Sequence, residues 1–483
     1  MSDIDTFASR AADLLGPRGF TQDPELVEPW LTDWRGRFTG RAVGLASPGS
    51  TDEVADLVKL CGEFGVPIVP QGGNSGMCGG ATPDESGQAL VLSLRRMSAV
   101  RAFDPATMQI TCEAGLVLQT LHETVEAEGL RFPLTLGGKG SATVGGLIST
   151  NAGGTQVLRH GMMRAQVLGL EAVLADGSIF SALTPLMKDN RGFDLKQMLI
   201  GSEGTLGIVT AATLKLEPAI AERRVLWAGV PTLPAARQLL LHCQKQAGEA
   251  LEGFEVLAQQ TLEDVLHHLP GARAPLGEPH GWHTLIELVA DADTRDRLGE
   301  TAENMLASAF EAGLVDDAVI ATNETQAEQF WLLRDSIAAA ERDKGPAVQH
   351  DISVAVERMP DFVDMAVPML ERDWPGTEAV AFGHLGDGNV HFHVIAPEGV
   401  DAAKWYEGDA KAISEQVYAL VTEWGGSISA EHGIGQLKRE TFGRMGDPVH
   451  VALLQQVKQA LDPAGLLNPG KLVPLLAQPP RKS

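Results

Sequence analysis

The chain has 483 residues, of which 44% are hydrophobic, and a formal net charge of −25 at pH 7. Its length allows two or three domains with cores of their own, and no apolar run approaches the ~20 residues that a membrane helix needs. The acidic balance disfavours nucleic acid and anionic membrane surfaces as direct partners.

The first residues of the chain predict its location. Residues 1–37 have the pattern of a helical lead-in, include Asp3, Asp5 and Asp13, and lack a long apolar core. This pattern argues against a secretory signal or a mitochondrial transit peptide, so we expect a cytoplasmic protein.

The cysteines fit that expectation. Cys61, Cys78, Cys112 and Cys243 are widely spaced and form no C-x-x-C pair. Such spacing does not match a zinc ribbon or an iron–sulfur cluster, and nothing in it requires disulfides. Cys78 lies inside a glycine-rich loop, where it could be a reactive thiol, although a small buried residue is the favoured interpretation.

Residues 50–80 predict a helix, a strand and a loop in quick succession. Ser50 and Glu53 form a capping box for a helix that runs to about Phe64 and ends at Gly65. The short apolar run 66–69 is typical of a strand, and a glycine-rich stretch follows it.

Three glycine-rich stretches dominate the first half of the chain, at 70–80, 136–154 and 201–207. Glycine lets a backbone come close to a ligand, and successive backbone N–H groups can form an anion-binding nest. One such stretch could be a flexible surface loop, but three favour one large phosphate-bearing cofactor. The candidate cofactor-binding residues in and after these stretches are Pro70, Gln71, Gly72, Gly73, Asn74, Ser75, Gly76, Gly137, Gly140, Ser141, Thr143, Gly146, Thr150, Asn151, Gly153, Gly154, Glu203, Gly204 and Ile208. Neither a G-x-G-x-x-G dinucleotide motif nor a P-loop is present, so the usual nucleotide-binding folds are poorly supported.

The remaining elements indicate an α+β fold, because helices and strands alternate irregularly. Asp176-Gly177 predicts a type I′ hairpin, and we place a domain boundary at 216–218. Beyond it we predict strands at 225–230, 253–256, 284–289 and 318–322 and helices at 232–247 and 293–310, which indicate an antiparallel sheet covered by helices. From about residue 404 the chain reads as mostly helical, with a disordered tail at 476–483.

A histidine cluster lies within 382–394. If Asp387-Gly388 is the centre of a type I′ turn, His384 faces His391, and strand alternation places His393 on the same side. Opposed residues have Cβ atoms roughly 4.5–5.5 Å apart, close enough for two imidazoles to share a metal ion. Histidines can also be satisfied core residues, but three on one face favour a site.

A second cluster, Glu431-His432, lies between turns rich in small residues. Glu431 could be a third metal ligand, and His432 could be a general base, since its free pKa is near neutral.

These stretches resemble the flavin-binding domain of the vanillyl-alcohol oxidase and p-cresol methylhydroxylase superfamily. Within it, the chain resembles the FAD-dependent D-2-hydroxyacid dehydrogenases of the D-2-hydroxyglutarate and D-lactate branch, from about Pro70 to Lys471. The resemblance implies a two-subdomain FAD-binding domain at 38–218, a substrate or cap domain at 219–403, and a helical segment at 404–475 that returns to the flavin near Asn468.

The resemblance also implies residue roles. A divalent ion, zinc or manganese, is expected on His384, His391 and Glu431, with His432 as the proton acceptor and a substrate contact. Arg334 is expected to contact the substrate carboxylate from a capped amphipathic helix at 323–343, where a solvated helix charge is the alternative.

Three positions depart from the family pattern. Gln349 stands where lysine is usual, Ala338 where threonine is often found, and His393 where asparagine is common. Gln349 and His393 remain candidate substrate contacts, but the changes weaken the case for a dicarboxylate substrate. Asn74 matches the histidine of covalent members, so we expect dissociable FAD.

The implied reaction is oxidation of a D-2-hydroxyacid, first of all D-2-hydroxyglutarate, to its 2-oxoacid. D-lactate or another small D-2-hydroxyacid is the alternative within the enzyme class. A redox-inactive flavin-binding subunit and, more weakly supported, a metallohydrolase are the alternatives outside it. An electron-transfer flavoprotein or a quinone is the expected electron acceptor, an oxidase reaction stays open, and a homodimer is only implied by the family.

Overall fold

The computed structural model describes residues 3–186 and 188–474, and the contacts among them divide the chain into two units. The first contains 3–154, 160–218 and 431–474, and the second contains 155–159 and 219–430. The predicted tail at 476–483 lies outside the described residues. No helix within the described ranges is both long and apolar enough to cross a membrane.

The first unit holds two main sheets. A four-stranded sheet has the order Phe20–Thr21, Gly44–Ala46, Leu90–Ser93 and Ile68–Gln71, and its last three strands are parallel. A five-stranded antiparallel sheet has the order Val100–Asp104, Gln109–Glu113, Ile208–Lys215, Val167–Val173 and Ile179–Ala182, and Leu130–Arg131 pairs separately with Glu217–Pro218.

Mostly short helices accompany these sheets. Their bounds are Asp3–Leu15, Pro24–Val27, Thr51–Phe64, Leu118–Glu126, Val144–Thr150, Met163–Gln166, Lys196–Leu199, Arg439–Met445 and Pro448–Leu461, with a 3₁₀ turn at Glu28–Trp30. Val157–His160 is a one-turn helix on the border between the two residue ranges.

The second unit is built on one antiparallel sheet of seven strands. Their order is Asp317–Ile320, Glu222–Val230, Trp282–Ala290, Leu251–Ala258, Glu378–His384, Asn389–Ile395 and Ala347–Ser353. The helices are Leu233–Ala247, Gln259–His268, Leu298–Glu311, Glu324–Asp335, Ile337–Lys344, Met359–Asp373, Ala402–Glu407 and Asp409–Glu423, with 3₁₀ turns at Gly248–Ala250, Arg295–Arg297 and Val356–Arg358. The predicted antiparallel sheet covered by helices is therefore confirmed, and the predicted strands and helices differ only in where they begin and end.

The border between residues 218 and 219 coincides with the predicted one, but the borders near residue 37 and after the cap region differ. Residues 3–37 are not separate, because Phe7 and Ala11 pack into the same core as Val54 and Val58. Residues 404–430 belong to the second unit, since the helix Asp409–Glu423 lies against the sheet.

The capping box at residue 50 is confirmed. The Ser50 hydroxyl accepts from the Glu53 N–H at 3.1 Å, and Gly65 ends the helix with a φ of 65°. The Glu53 carboxylate reaches one residue further back than expected, to the N–H of Gly49 at 2.7 Å.

Both predicted hairpins form, but neither has a type I′ turn. That turn needs positive φ at both central residues, and only Gly177 (77°) and Gly388 (79°) have it. The first hairpin closes around residues 175–177, where the N–H of residue 174 donates to the carbonyl of residue 178. The second has a four-residue loop, 385–388, because the Asp387 carboxylate accepts from the N–H of Asn389 at 3.0 Å.

The four-residue loop changes the predicted pairing of the histidines. His384 lies opposite Asn389, and His391 lies opposite Phe382. His384 and His391 are therefore diagonal neighbours rather than a facing pair. Because the shift is by an even number of residues, both still lie on the same face of the sheet.

The predicted helix 323–343 is two helices that break at Ser336. Its N-cap is confirmed, since the Asn323 side chain accepts from the N–H of Gln326 at 3.0 Å.

Candidate functional site

The three glycine stretches of the first unit meet at positions where only a hydrogen atom fits. A Cβ built on Gly73 would lie 1.7 Å from the Ser141 carbonyl oxygen, and one on Gly72 would lie 2.3 Å from Thr143 Oγ1. Gly204, with a φ of 72°, would place a Cβ 3.1 Å from the ring of Pro70. The stretches therefore form one continuous wall of backbone, which is the arrangement a closely held flavin nucleotide requires.

One side chain in this wall has an unused hydrogen-bonding atom. Thr143 Oγ1 is buried and has no hydrogen-bond partner among the described residues. A buried hydroxyl normally finds a partner, so an unpaired one beside Gly72 fits a polar group of a bound cofactor. Gly137, Gly140 and Gly76 have open space around a built Cβ.

Several other predicted cofactor contacts are engaged within the protein. Asn74 has a φ of 52° and donates to the Thr32 carbonyl at 2.8 Å, and buried Gln71 donates to the carbonyls of Trp30 (3.0 Å) and Ala81 (2.7 Å). Asn151 closes a helix at φ 49° and accepts from the N–H of residue 164 at 2.9 Å. These side chains are used within the protein, where they shape the wall.

The other positions of this set vary in exposure. Thr150 bonds back to the carbonyl of Gly146 at 3.0 Å, and Ile208 is a core residue at 1% exposure. Ser75 and Gly154 are half-buried and Gly153 is buried.

Glu203 and Asn468 link distant parts of the first unit. Both have positive φ, at 51° and 42°, and both are buried. The Asn468 amide donates to the carbonyls of Gly80 (2.9 Å) and Glu203 (2.7 Å). The Glu203 carboxylate accepts from the N–H groups of Ile434 and Gly435, each at 2.7 Å.

The second unit gathers the predicted histidines on one face of its sheet. The ring centroids of His384 and His391 are 5.4 Å apart, and those of His391 and His393 are 6.3 Å apart. Phe382 lies among them, 5.0 Å from the ring of His391 and 5.1 Å from that of His393. Burial, with the charges of His384 and Arg334, holds the pKa of His391 well below its ordinary value, so His391 is neutral and can act as a ligand.

Glu255 fixes the orientation of His384. His384 Nδ1–H donates to Glu255 Oε1 at 2.5 Å, which fixes the orientation of the ring and makes Nε2 the ring nitrogen for a ligand role. The other carboxylate oxygen accepts from Arg334 Nε–H at 2.8 Å. Burial opposes ionisation of Glu255, but the charges of Arg334 and His384 hold its pKa well below the ordinary value.

Arg334 is therefore not a solvated helix charge. Its side chain is 14% exposed, and its guanidinium lies 5.9 Å from the ring centroid of Phe382. The structure thus brings Arg334 to the histidine face.

His393 has a carboxylate partner as well. Its Nδ1–H donates to Glu341 Oε2 at 2.6 Å, and both residues are buried. Gln349 pairs with His393 across neighbouring strands, so their side chains lie on the same face.

Glu431 and His432 are half-buried and begin the last stretch of the first unit. The second unit ends one residue earlier at Ala430, whose N–H donates to the Asp351 carbonyl at 3.2 Å. Asp351 pairs with His391. The chain therefore passes beside His391 immediately before Glu431, whose role as a ligand stays a prediction.

Sequence reasoning missed Glu255 and Glu341. Glu255 stands in the otherwise largely apolar segment 253–258, where an isolated acid signals a buried partner. Glu341 carried no such signal, because it lies in a polar helix.

Known proteins resemble this chain over nearly its whole length. A family model for FAD linked oxidases, C-terminal domain, matches 220–472, and one for an FAD binding domain matches 42–182. D-2-hydroxyglutarate dehydrogenase, mitochondrial, of Arabidopsis thaliana is 36% identical over 464 residues, 96% of this chain and 80% of the relative. The Bos taurus protein of the same name is 38% identical over 457 residues, 94% of this chain and 80% of the relative. Among solved structures, p-cresol methylhydroxylase with substrate bound has a TM-score of 0.74 at 15% identity and covers 98% of this chain and 97% of its own, which shows a shared fold.

Proposed function

The chain belongs to the FAD-dependent D-2-hydroxyacid dehydrogenases of the vanillyl-alcohol oxidase and p-cresol methylhydroxylase superfamily, and from that membership we propose that it oxidises D-2-hydroxyglutarate to 2-oxoglutarate. The observation that carries the proposal is the arrangement of His384 and His391 on one face of the cap sheet, with Glu255 and Arg334 beside them.

The wall formed by the three glycine stretches fits FAD, since it offers close backbone approach and the unpaired hydroxyl of Thr143. When bound, FAD supplies the acceptor for the hydride that leaves C2 of the substrate. Attachment is non-covalent in this proposal, because Asn74 is no nucleophile and its amide is held by the Thr32 carbonyl.

A divalent ion completes the proposed site, with His384, His391 and Glu431 as ligands. Glu255 supports this set by fixing the tautomer of His384. The ion, zinc or manganese, would supply Lewis acidity at the substrate hydroxyl. The contact of Ala430 with Asp351, beside His391, supports the inclusion of Glu431.

The protein's own groups do the remaining work. His432 takes the hydroxyl proton, since an imidazole can act as a general base. Arg334, held by Glu255, orients the substrate carboxylate through its planar donors.

A smaller D-2-hydroxyacid such as D-lactate is the second candidate, and a specific observation favours it. The family's usual lysine is Gln349 here, and the neighbouring His393 is paired with the buried Glu341. Without the positive charge of a lysine at residue 349, this face offers less attraction for a second substrate carboxylate.

The physiological setting belongs to the proposal too. We expect an electron-transfer flavoprotein or a quinone as electron acceptor, a cytoplasmic location and a homodimer. The acceptor would reoxidise the reduced flavin after each turnover, whereas the location and the dimer do not enter the reaction itself.

Steady-state rates with a dye acceptor test the proposal. D-2-hydroxyglutarate should give a higher kcat/KM than D-lactate, and His384→Ala and His432→Ala should abolish turnover while FAD stays bound. The reverse order of substrates would select the second candidate. Near-normal rates in either variant would refute the assigned roles, and an inert wild-type flavoprotein would indicate a redox-inactive subunit.

A further inference from the structure

Glu203 uses both of its carboxylate oxygens on one short loop of the first unit. Oε1 accepts from the N–H of Ile434 and Oε2 from that of Gly435, each at 2.7 Å, and the residue is 8% exposed. Sequence analysis grouped Glu203 with the flavin contacts, but both oxygens carry backbone hydrogen bonds of this loop. The loop begins directly after Glu431 and His432.

The same loop is fixed to the first glycine stretch. The Cys78 thiol donates to the Gly433 carbonyl at 3.2 Å, and the Cys78 carbonyl accepts from the N–H groups of Gln436 (3.0 Å) and Leu437 (3.2 Å). A Cβ on Gly435 would lie 2.2 Å from the Cys78 carbonyl oxygen. Cys78 is therefore a buried structural residue, as the favoured interpretation expected.

Gly433, the residue after His432, lies against the Glu203 carboxylate. Its φ is 76°, and a built Cβ would lie 2.8 Å from Glu203 Oε1. Any side chain here would displace the carboxylate from the N–H groups of Ile434 and Gly435.

We propose that Glu203 is a positioning residue for His432: its carboxylate fixes the backbone at 433–435 and thereby the direction of the imidazole. This inference rests on the proposed function, in which His432 is the proton acceptor.

The two hydrogen bonds of Glu203 are comparable in energy to the cost of ordering this loop. Two of the three residues at 433–435 are glycines, and ordering a backbone costs about 1–2 kcal/mol per residue, more for glycine. Hydrogen bonds to a charged group contribute about 1.5–3 kcal/mol each. Two of them offset the ordering of the loop.

Burial of the Glu203 carboxylate outweighs the local groups that favour its charged form. Burial raises the pKa of Glu203, while its two backbone hydrogen bonds and the charges of Lys438 and Lys471 act in the opposite direction. The carboxylate is thus held by groups of its own unit.

Rapid mixing of anaerobic holoenzyme with D-2-hydroxyglutarate tests the role, with flavin reduction expressed per bound FAD. We expect Glu203→Ala to retain FAD, and we expect its flavin to be reduced about 100-fold more slowly. Displacing a catalytic group by about 1 Å can slow a reaction by about this factor. Glu203→Gln keeps the shape and one acceptor and should recover part of the rate, with kcat changing more than KM.

Asp462→Asn is the matched control. The Asp462 carboxylate also accepts from two backbone N–H groups in the first unit, those of Leu466 (2.9 Å) and Leu467 (2.8 Å). That variant should lose stability but keep the reduction rate per bound flavin.

The outcomes separate this inference from the function on which it rests. If Glu203→Ala loses FAD but is reduced at the wild-type rate once saturated, Glu203 is a flavin contact and the inference is wrong. If Glu203→Ala does not fold, a wild-type rate in Glu203→Gln overturns it. If wild-type flavin is reduced by no D-2-hydroxyacid, the proposed function fails first and this inference fails with it.

Discussion

Replacing Glu255 by glutamine should separate metal binding from folding. The carboxylate accepts from His384 at 2.5 Å and from Arg334 at 2.8 Å, and its side chain is 1% exposed. Glutamine has the same shape but only one acceptor atom, and its amide N–H₂ would face one of the two donors. Arg334 would then lose the buried carboxylate that lies 2.8 Å from its Nε.

The expected loss has two parts. Breaking a buried ion pair from one side reduces stability by about 3–5 kcal/mol. Losing the carboxylate behind a metal-bound histidine lowers metal affinity or activity by about 10–100-fold. Only the second part is specific to the proposed site.

Glu252→Gln is the control because Glu252 lies on the same strand, is equally buried and pairs with Arg159 at 3.0 Å. Urea unfolding should show both variants destabilised, and titration of zinc and manganese against a competing chelator should show weakened binding only in Glu255→Gln. If both variants bind the metal with the same affinity, whether that affinity is unchanged or equally weakened, Glu255 does not support His384 as proposed.

Three further predictions follow from the first unit. Gly73→Ala should lose FAD or fail to fold, since its Cβ would lie 1.7 Å from the Ser141 carbonyl, whereas Gly76→Ala, with open space, should keep FAD; equal flavin content would contradict the wall of backbone. Burial lowers the pKa of Lys471 to about 8, so between pH 8 and its ordinary value of 10.5 the unfolded chain binds more protons and the free energy of unfolding rises with pH. In urea titrations of Lys471→Met, the free energy of unfolding should lack that rise with pH. The same pH dependence as in the wild type would contradict the prediction. Acid precipitation should leave a colourless pellet, because the proposed attachment of FAD is non-covalent; a yellow pellet would indicate covalent attachment.

Local rules predicted most of the fold. The capping box at Ser50, the N-cap Asn323 and the antiparallel cap sheet follow from side-chain chemistry and strand patterns within a few residues. The unit border after Ala430 could not be predicted, because which unit a helix joins depends on contacts distant in sequence.

The turn between the histidine strands was predicted wrongly, but the face on which the histidines lie was predicted correctly. Asp387-Gly388 suggested a two-residue turn, but the Asp387 carboxylate bonds to the N–H of Asn389 and the loop has four residues. The residues that lie opposite each other are therefore not the predicted ones. The histidines still lie on the predicted face, because every second side chain of a strand points to the same side.

The carboxylates behind the histidines are the part that sequence reasoning could not reach. Glu255 is 129 residues from His384 and Glu341 is 52 from His393. Only the folded sheet and helices bring these partners together.

The most direct test is anaerobic bleaching of the visible flavin absorbance by D-2-hydroxyglutarate, with its L enantiomer and D-lactate alongside, each with and without a chelator. The account predicts bleaching by the D-acid, none by the L-acid, and suppression by chelator that added zinc or manganese reverses. Equal bleaching with and without the chelator would contradict the metal site. A flavin that no D-2-hydroxyacid bleaches would contradict the proposed function itself.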